Sequence, residues 1–186
     1  MYENYITYHL NEICNITTGY RTIDIDTMYS GKYPLIIDIN LEKNYNINIA
    51  DHFEENIIIP IFFKGSIKYI DYPFSTTKFN IIINIKEQYK NIISLKYLYY
   101  YFVINYEIFS FITEDNNDDD ELNENNEIII NTNKLSDLKI KLPIIEIQLF
   151  FNTKYENLLK EFILLNKEII NLEEEFINKY LQTTYI

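Results

Sequence analysis

Residues 153–181 read TKYENLLKEFILLNKEIINLEEEFINKYL, and their spacing decides the architecture of the chain. Tyr155, Leu158, Phe162, Leu165, Ile169, Leu172 and Phe176 alternate steps of three and four, the seven-residue apolar repeat of a coiled-coil seam. Neither Gly nor Pro interrupts the run, so at ~1.5 Å per residue it predicts a helix of about 43 Å. Such a helix is too long to bury its stripe fully against the remainder of the chain. The seam calls for a partner helix, most simply the same seam of a second copy. One amphipathic helix folded back on its own domain is the competing reading, and the unbroken seam weighs against it. Lys179 takes the next seam position, where the coil is expected to fray.

Ahead of this helix the periodicity changes. Tyr33 to Ile39, Ile57 to Phe63, Ser66 to Asp71 and Phe79 to Ile85 are short runs of Ile, Phe and Tyr separated by Gly, Pro, Asn or charged residues, as strands of a mixed sheet would be. Pro60 cannot donate to a ladder, which predicts an edge or a bulge. From Asn4 to Asn15 the apolar residues Tyr5, Ile6, Leu10, Ile13 and Cys14 mark a short helix or an opening strand, ended by a turn at Thr17-Thr18-Gly19. Ser94 to Phe109 has the Ser start and aromatic content of a buried helix. A strand from Ile128 to Ile130, a short segment over Leu135 to Leu142 and a boundary at Pro143 complete the body. The expected fold class is α+β: a mixed, twisted sheet with packed helices over residues 1–150, followed by one long coiled-coil helix over 151–186.

Charge restricts function next. Among 186 residues, 16 are Lys or Arg and 28 are Asp or Glu, a net of −12 that argues against coating nucleic acid by counterion release. The excess is local. Residues 114–127 hold eight carboxylates and no basic residue, and read as a solvated, disordered loop. The helix over 153–181 carries six Glu against four Lys; outside these two segments 12 basic and 14 acidic residues leave a net of −2. A nucleic-acid-binding face on that nearly neutral body is permitted.

Other chemistries lack their residues. A lone Cys14 forms no internal disulfide, and no Cys or His pair has zinc-ligand spacing, so neither metal nor cofactor is expected. Three Gly leave no phosphate-cradling loop. His9 and His52 have no nucleophile or carboxylate at motif spacing, and Glu54-Glu55 is background in so acidic a chain, so no catalytic residue is assigned and the chain is not read as an enzyme. With no signal-like start and no long apolar run, it is expected to be cytoplasmic, with no membrane partner. The excess of Ile, Asn, Tyr and Lys resembles the imprint of an AT-rich genome, so individual Asn residues carry little functional weight.

Several boxes in order carry a resemblance. They are Tyr8-His9-Leu10-Asn11-Glu12-Ile13-Cys14-Asn15-Ile16-Thr17-Thr18-Gly19-Tyr20 followed by Arg21, then Gly31-Lys32-Tyr33-Pro34-Leu35, then the hairpin Ile61-Phe62-Phe63-Lys64-Gly65-Ser66-Ile67-Lys68-Tyr69-Ile70-Asp71-Tyr72 with Lys78-Phe79-Asn80. Leu98-Tyr99-Tyr100-Tyr101-Phe102 follows, and Leu135-Ser136-Asp137-Leu138-Lys139-Ile140-Lys141-Leu142-Pro143 with Glu146 and Gln148 stands just before the helix. In this order they resemble a half-length specificity subunit of a type I restriction-modification system, one target-recognition domain followed by one spacer helix. The chain departs from that pattern in the acidic run 114–127, where a Gly- or Ser-rich segment is usual, and in Lys68, where a further Gly is common.

The resemblance implies a non-catalytic, sequence-specific reader of double-stranded DNA. It would direct a DNA methyltransferase subunit that supplies the chemistry with S-adenosylmethionine, and would homodimerise through Tyr155, Leu158, Phe162, Leu165, Ile169, Leu172 and Phe176. Candidate DNA contacts are Tyr20, Arg21, Lys64, Ser66, Lys68 and Lys78: cations for phosphates, polar groups for base edges. Solvated Lys at strand ends, an Arg21 salt bridge to Asp24 or Asp26, and turn capping by Ser66, Thr76 and Thr77 are the plainer roles for the same residues. The Tyr97 to Tyr101 cluster reads as packing rather than base stacking. A recognition-domain fold kept as an interaction or assembly protein, with DNA binding lost, is the alternative function.

Overall fold

The computed structural model describes residues 5–22, 31–37, 39, 45–63, 65–113 and 128–181, with side chains of the last helix as far as Glu174. Strand β1 (Tyr5–His9) runs through a one-turn helix, α1 (Leu10–Ile13), into β2 (Cys14–Thr18). There follow β3 (Tyr33–Ile36), β4 (Tyr45–Ile47), β5 (Asn56–Pro60), β6 (Phe62–Phe63), β7 (Lys68–Ile70), β8 (Ser75–Thr76) and β9 (Asn80–Ile85). Helix α2 (Leu95–Ile104), β10 (Ile128–Ile129), α3 (Thr132–Ser136), β11 (Lys139–Pro143) and α4 (Ile145–Leu181) complete the order. The α+β class is as expected, but among the described residues the strands divide among four small sheets. The largest is antiparallel in the order β2-β9-β5-β7; β4-β3-β8 is mixed, and β1-β11 and β6-β10 are antiparallel pairs.

The reason for the layering lies in two isoleucine triplets. Ile57-Ile58-Ile59 and Ile81-Ile82-Ile83 are fully buried on adjacent inner strands, with no polar alternation, because both faces of this sheet are covered. Ile57, Ile59, Ile81 and Ile83 join a core with Leu98, Phe102 and Phe109, while Ile58 packs with Ile39, Ile70 and Phe74 on the other side. Truncating such a residue costs about 2–5 kcal/mol.

Local departures from the expected elements have local causes. Thr17 and Thr18 belong to β2 rather than to a turn, since their backbone pairs with Ile82 and Ile81. Pro60 lies on an inner strand, not an edge, but as its last residue; the ladder breaks there, and the Ile61 N–H donates to the Phe79 carbonyl at 2.9 Å. Ser94 caps α2 by accepting from the Tyr97 N–H, and the helix ends at Ile104, giving way to a 3₁₀ stretch over Tyr106–Phe111.

By compactness the chain divides into residues 1–148 and 149–186. In the second unit the seam side chains from Leu158 to Leu172 are 52–64% exposed, and Phe176 lies outside the described side chains. In the first unit Gln148, 1% exposed, joins three segments. Its Oε1 accepts from the Ser94 N–H at 2.9 Å, and its Nε2 donates to the carbonyls of Pro143 (2.7 Å) and Ile92 (3.2 Å). Gln148→Leu keeps the volume but strands these groups, and should lower stability by about 1–3 kcal/mol in urea unfolding.

Candidate nucleic-acid interface

The four-stranded sheet has one end at which β2 stops, β9 starts, β5 stops and β7 starts, as the pairs Thr18–Ile81, Ile81–Ile59 and Ile58–Lys68 require. Candidate residues from separate parts of the sequence converge there. Tyr20 and Arg21 follow β2, Lys78 lies in the turn before β9, and Ser66 and Lys68 lead into β7. Three strand spacings of ~4.8 Å put the outer members about 14 Å apart, close to the ~12 Å width of a DNA major groove. Tyr20, Lys68 and Lys78 are exposed and Ser66 is half-buried; Lys64 lies outside the described residues. Gly65, at φ 87°, supplies the left-handed residue that turns the chain before β7.

Charge is sorted along the strands. No carboxylate occurs at 18–22, 61–68 or 77–80, whereas exposed Glu54, Glu55, Asp71 and Glu87 belong to the opposite end. There Lys90 pairs with Glu54 and Glu87, and the Tyr69 hydroxyl donates to Glu55 at 2.7 Å. The acidic run 114–127 lies outside the described residues. Of its flanks, Ile128–Ile129 pair with β6 and Thr113 bridges Ile130.

Arg21 is held from two sides. Its N–H donates to the Thr76 carbonyl at 3.2 Å, and Gly19 makes this approach possible: a Cβ there would lie 2.3 Å from the Thr77 carbonyl oxygen. Its guanidinium meets Asp51 through two bonds, Nε donating to Oδ2 at 2.6 Å and Nη2 to Oδ1. Asp24 and Asp26 lie outside the described residues. Asp51 is a site residue that sequence reading missed, because it stands 30 residues from Arg21 with no local motif around it.

The Asp51 side chain is only 5% exposed. Burial by itself would raise its pKa, but hydrogen bonds led by those from Arg21 and Tyr20 outweigh it and hold the carboxyl below its ordinary value. The bond from the Tyr20 hydroxyl in turn raises the Tyr20 pKa, and the guanidinium lies 5.6 Å from the centre of the Tyr20 ring.

Thr76 and Thr77 are buried, their hydroxyls spent on the carbonyls of Ile36 and Ile37. His52 stacks on Phe74 at 4.9 Å, and burial lowers its pKa. Burial pushes the Cys14 thiol up to about 12 despite nearby Lys86, as for an inert core residue. Among the described residues no cluster of three His, Cys, Asp or Glu could hold a metal ion, and no helix is long and apolar enough to cross a membrane.

The fold is that of solved type I restriction-modification specificity subunits. The S subunit from M. genitalium superposes with a TM-score of 0.64 at 14% identity, over 95% of this chain and 44% of that one. A chain from a structure of complex assembly and conformational transition of the type I R-M system gives 0.68 at 13% identity, over 94% and 43%. The HsdS subunit from Thermoanaerobacter tengcongensis gives 0.61 at 12%, over 90% and 40%. This chain thus spans less than half the length of the solved chains it matches, and at these identities the likeness is one of fold. No protein-family model and no curated protein matches the chain.

The depressed Asp51 pKa fixes a pH dependence. A carboxyl whose folded pKa lies below the unfolded value contributes stability that is present above the ordinary value of 3.8 and is lost as pH falls through the folded one. Asp51→Asn should therefore be less stable than wild type at pH 7 in urea unfolding, and the gap should narrow progressively below about pH 4.

Proposed function

We propose that the chain is a non-catalytic DNA-specificity protein, with one recognition domain over residues 1–150 and one dimerisation helix over 151–186. The observation that carries this reading is the convergence of Tyr20, Arg21, Ser66, Lys68 and Lys78 at one sheet end, where the carboxylate among the described residues, Asp51, is paired with Arg21, within a fold shared with solved specificity subunits. Lys68 and Lys78, with Lys64, would neutralise phosphates, while the hydroxyl of Ser66 and the groups of Tyr20 and Arg21 would face base edges. A net charge of −12 is compatible with such local contact, because the affinity comes from the few cations that touch the duplex.

The exposed seam of α4 supports homodimerisation, which would place two readers on a two-fold axis over a split target. Leu159, Ile163 and Ile170 form a second exposed ribbon beside that seam and would offer a surface to a DNA methyltransferase subunit, the partner that supplies catalysis.

Fluorescence anisotropy against a randomised duplex pool at low salt, with and without a type I methyltransferase subunit, tests the reading. Binding should select a sequence, and Lys68→Ala or Lys78→Ala should weaken all duplexes alike while reducing the log–log salt slope by about one. Failure to bind in both settings overturns the proposal. In sedimentation, Leu165→Asp should convert a dimer to a monomer; an unchanged mass would mean that the seam packs within one chain.

A further inference from the structure

We propose that Arg21 reads a guanine in the major groove and that Asp51 is its positioning residue. This inference rests on the DNA-reading proposal above and goes beyond it by assigning one base to one side chain.

The argument begins with donor arithmetic. A guanidinium has five N–H donors in a planar fork. Asp51 takes the edge formed by Nε and one Nη2 hydrogen. Among the described residues the second Nη2 hydrogen and one Nη1 hydrogen remain and point outward together along the end of the fork, while the other Nη1 hydrogen points back along the side chain. Among the described residues the guanidinium otherwise meets only the Tyr20 ring, and the Arg21 side chain keeps 31% of its exposure.

Rigidity comes next. The backbone N–H groups of Asp51 and His52 both donate to the Phe74 carbonyl at 3.0 Å. The Asp51 N–H also reaches Ser75 Oγ at 3.0 Å, and that hydroxyl donates to the Ile49 carbonyl. The carboxylate is thus fixed by its own surroundings, and a two-point bond transmits the fixation to Arg21. An oriented side chain loses little rotamer entropy on binding.

Charge then decides between phosphate and base. Asp51 stays ionised at neutral pH, so the pair is close to neutral and would release few counterions on meeting a phosphate. Two parallel outward donors instead need two adjacent acceptors. In the major groove guanine offers O6 and N7; adenine sets a donor beside N7, cytosine presents a donor, and thymine has one acceptor beside a methyl group. Guanine alone satisfies the edge.

The test starts from the sequence selected by the wild-type protein. Each guanine in it is replaced in turn by 7-deazaguanine, which removes the N7 acceptor without altering the protein. One guanine per half-site should then cost about tenfold in affinity, and exchange of that base pair on the order of 10- to 100-fold. The double substitution Arg21→Ala with Asp51→Ala leaves no unpaired buried charge and the same net charge. It should abolish the cost of 7-deazaguanine at that position and weaken the selected duplex more than unrelated ones. Asp51→Asn should relax discrimination at the same base pair. A selected target with no required guanine, a 7-deazaguanine cost that persists in the double variant, or a uniform loss over all sequences would overturn the assignment while DNA reading itself stands. Selection of no sequence by the wild type would overturn both.

Discussion

Three buried polar side chains, Thr76, Thr77 and Asn80, tie the two larger sheets together at the end where the candidate contacts gather. The Thr76 hydroxyl donates to the Ile36 carbonyl at 2.7 Å and Thr77 to Ile37 at 2.5 Å, while Asn80 Nδ2 donates to Ile37 at 2.9 Å and to Thr76 Oγ1 at 2.8 Å. Every donor in this set is paired, although Asn80 Oδ1 has no partner among the described residues, and the paired donors fix one arrangement. That arrangement lays β8 beside β3 and turns the Thr76 and Thr77 carbonyls toward Gly19. The contact leaves no room for a Cβ at Gly19, and the chain leaving it delivers Arg21 to Asp51. A change in the threonines would therefore reach the guanidinium through the backbone rather than through charge.

The same sheet explains how an acidic chain can carry a face suited to an anion. Its strands bury six consecutive-register isoleucines in the middle, so polar chemistry is confined to the two ends. At the far end an amide ladder crosses the sheet, Asn15 to Asn84 at 2.8 Å and Asn84 to Asn56 at 3.2 Å, beside the exposed carboxylates. At the near end lie lysines, a serine and an arginine whose charge is cancelled. Coulomb energies between exposed groups fade over a Debye length of about 8–10 Å, so carboxylates a strand's length away weigh little on the near end.

How much of this was legible in sequence depended on range. The strands of β5, β7 and β9, the helix α2 and the seam of α4 rest on local periodicity, and each stands where its pattern placed it to within a few residues. The start of α4 at Ile145 was not legible, because its first two turns pack by Gln148 rather than by the heptad. Pro60 misled for a related reason: a ladder can end on an inner strand as well as at an edge. At the candidate interface Tyr20, Arg21, Ser66, Lys68 and Lys78 were visible as residue types, but their convergence follows from strand order, which no local signal encodes. Asp51 was invisible because its role exists only once β2 and the segment before β5 meet.

The long helix supplies the last step. Leu158, Phe162, Leu165, Ile169 and Leu172 each stand more than half exposed, and burying a side chain of that size is worth about 1.5–3 kcal/mol. Each is already partly covered by its own helix, so a second seam would add the remaining share of that burial at every position. The exposed stripe is the feature that supports the pairing proposed above, and it lies outside the recognition domain. On the proposed reading this matters for affinity as well as for architecture. A face with a few lysines and one neutralised arginine would bind a single half-site weakly, since each phosphate contact contributes only its own share of counterion release. Joining two faces through a stiff helix pair makes the second contact intramolecular, raising affinity without adding charge. The spacing of the two half-sites would then be set by the helices, and their sequence by the end of the sheet.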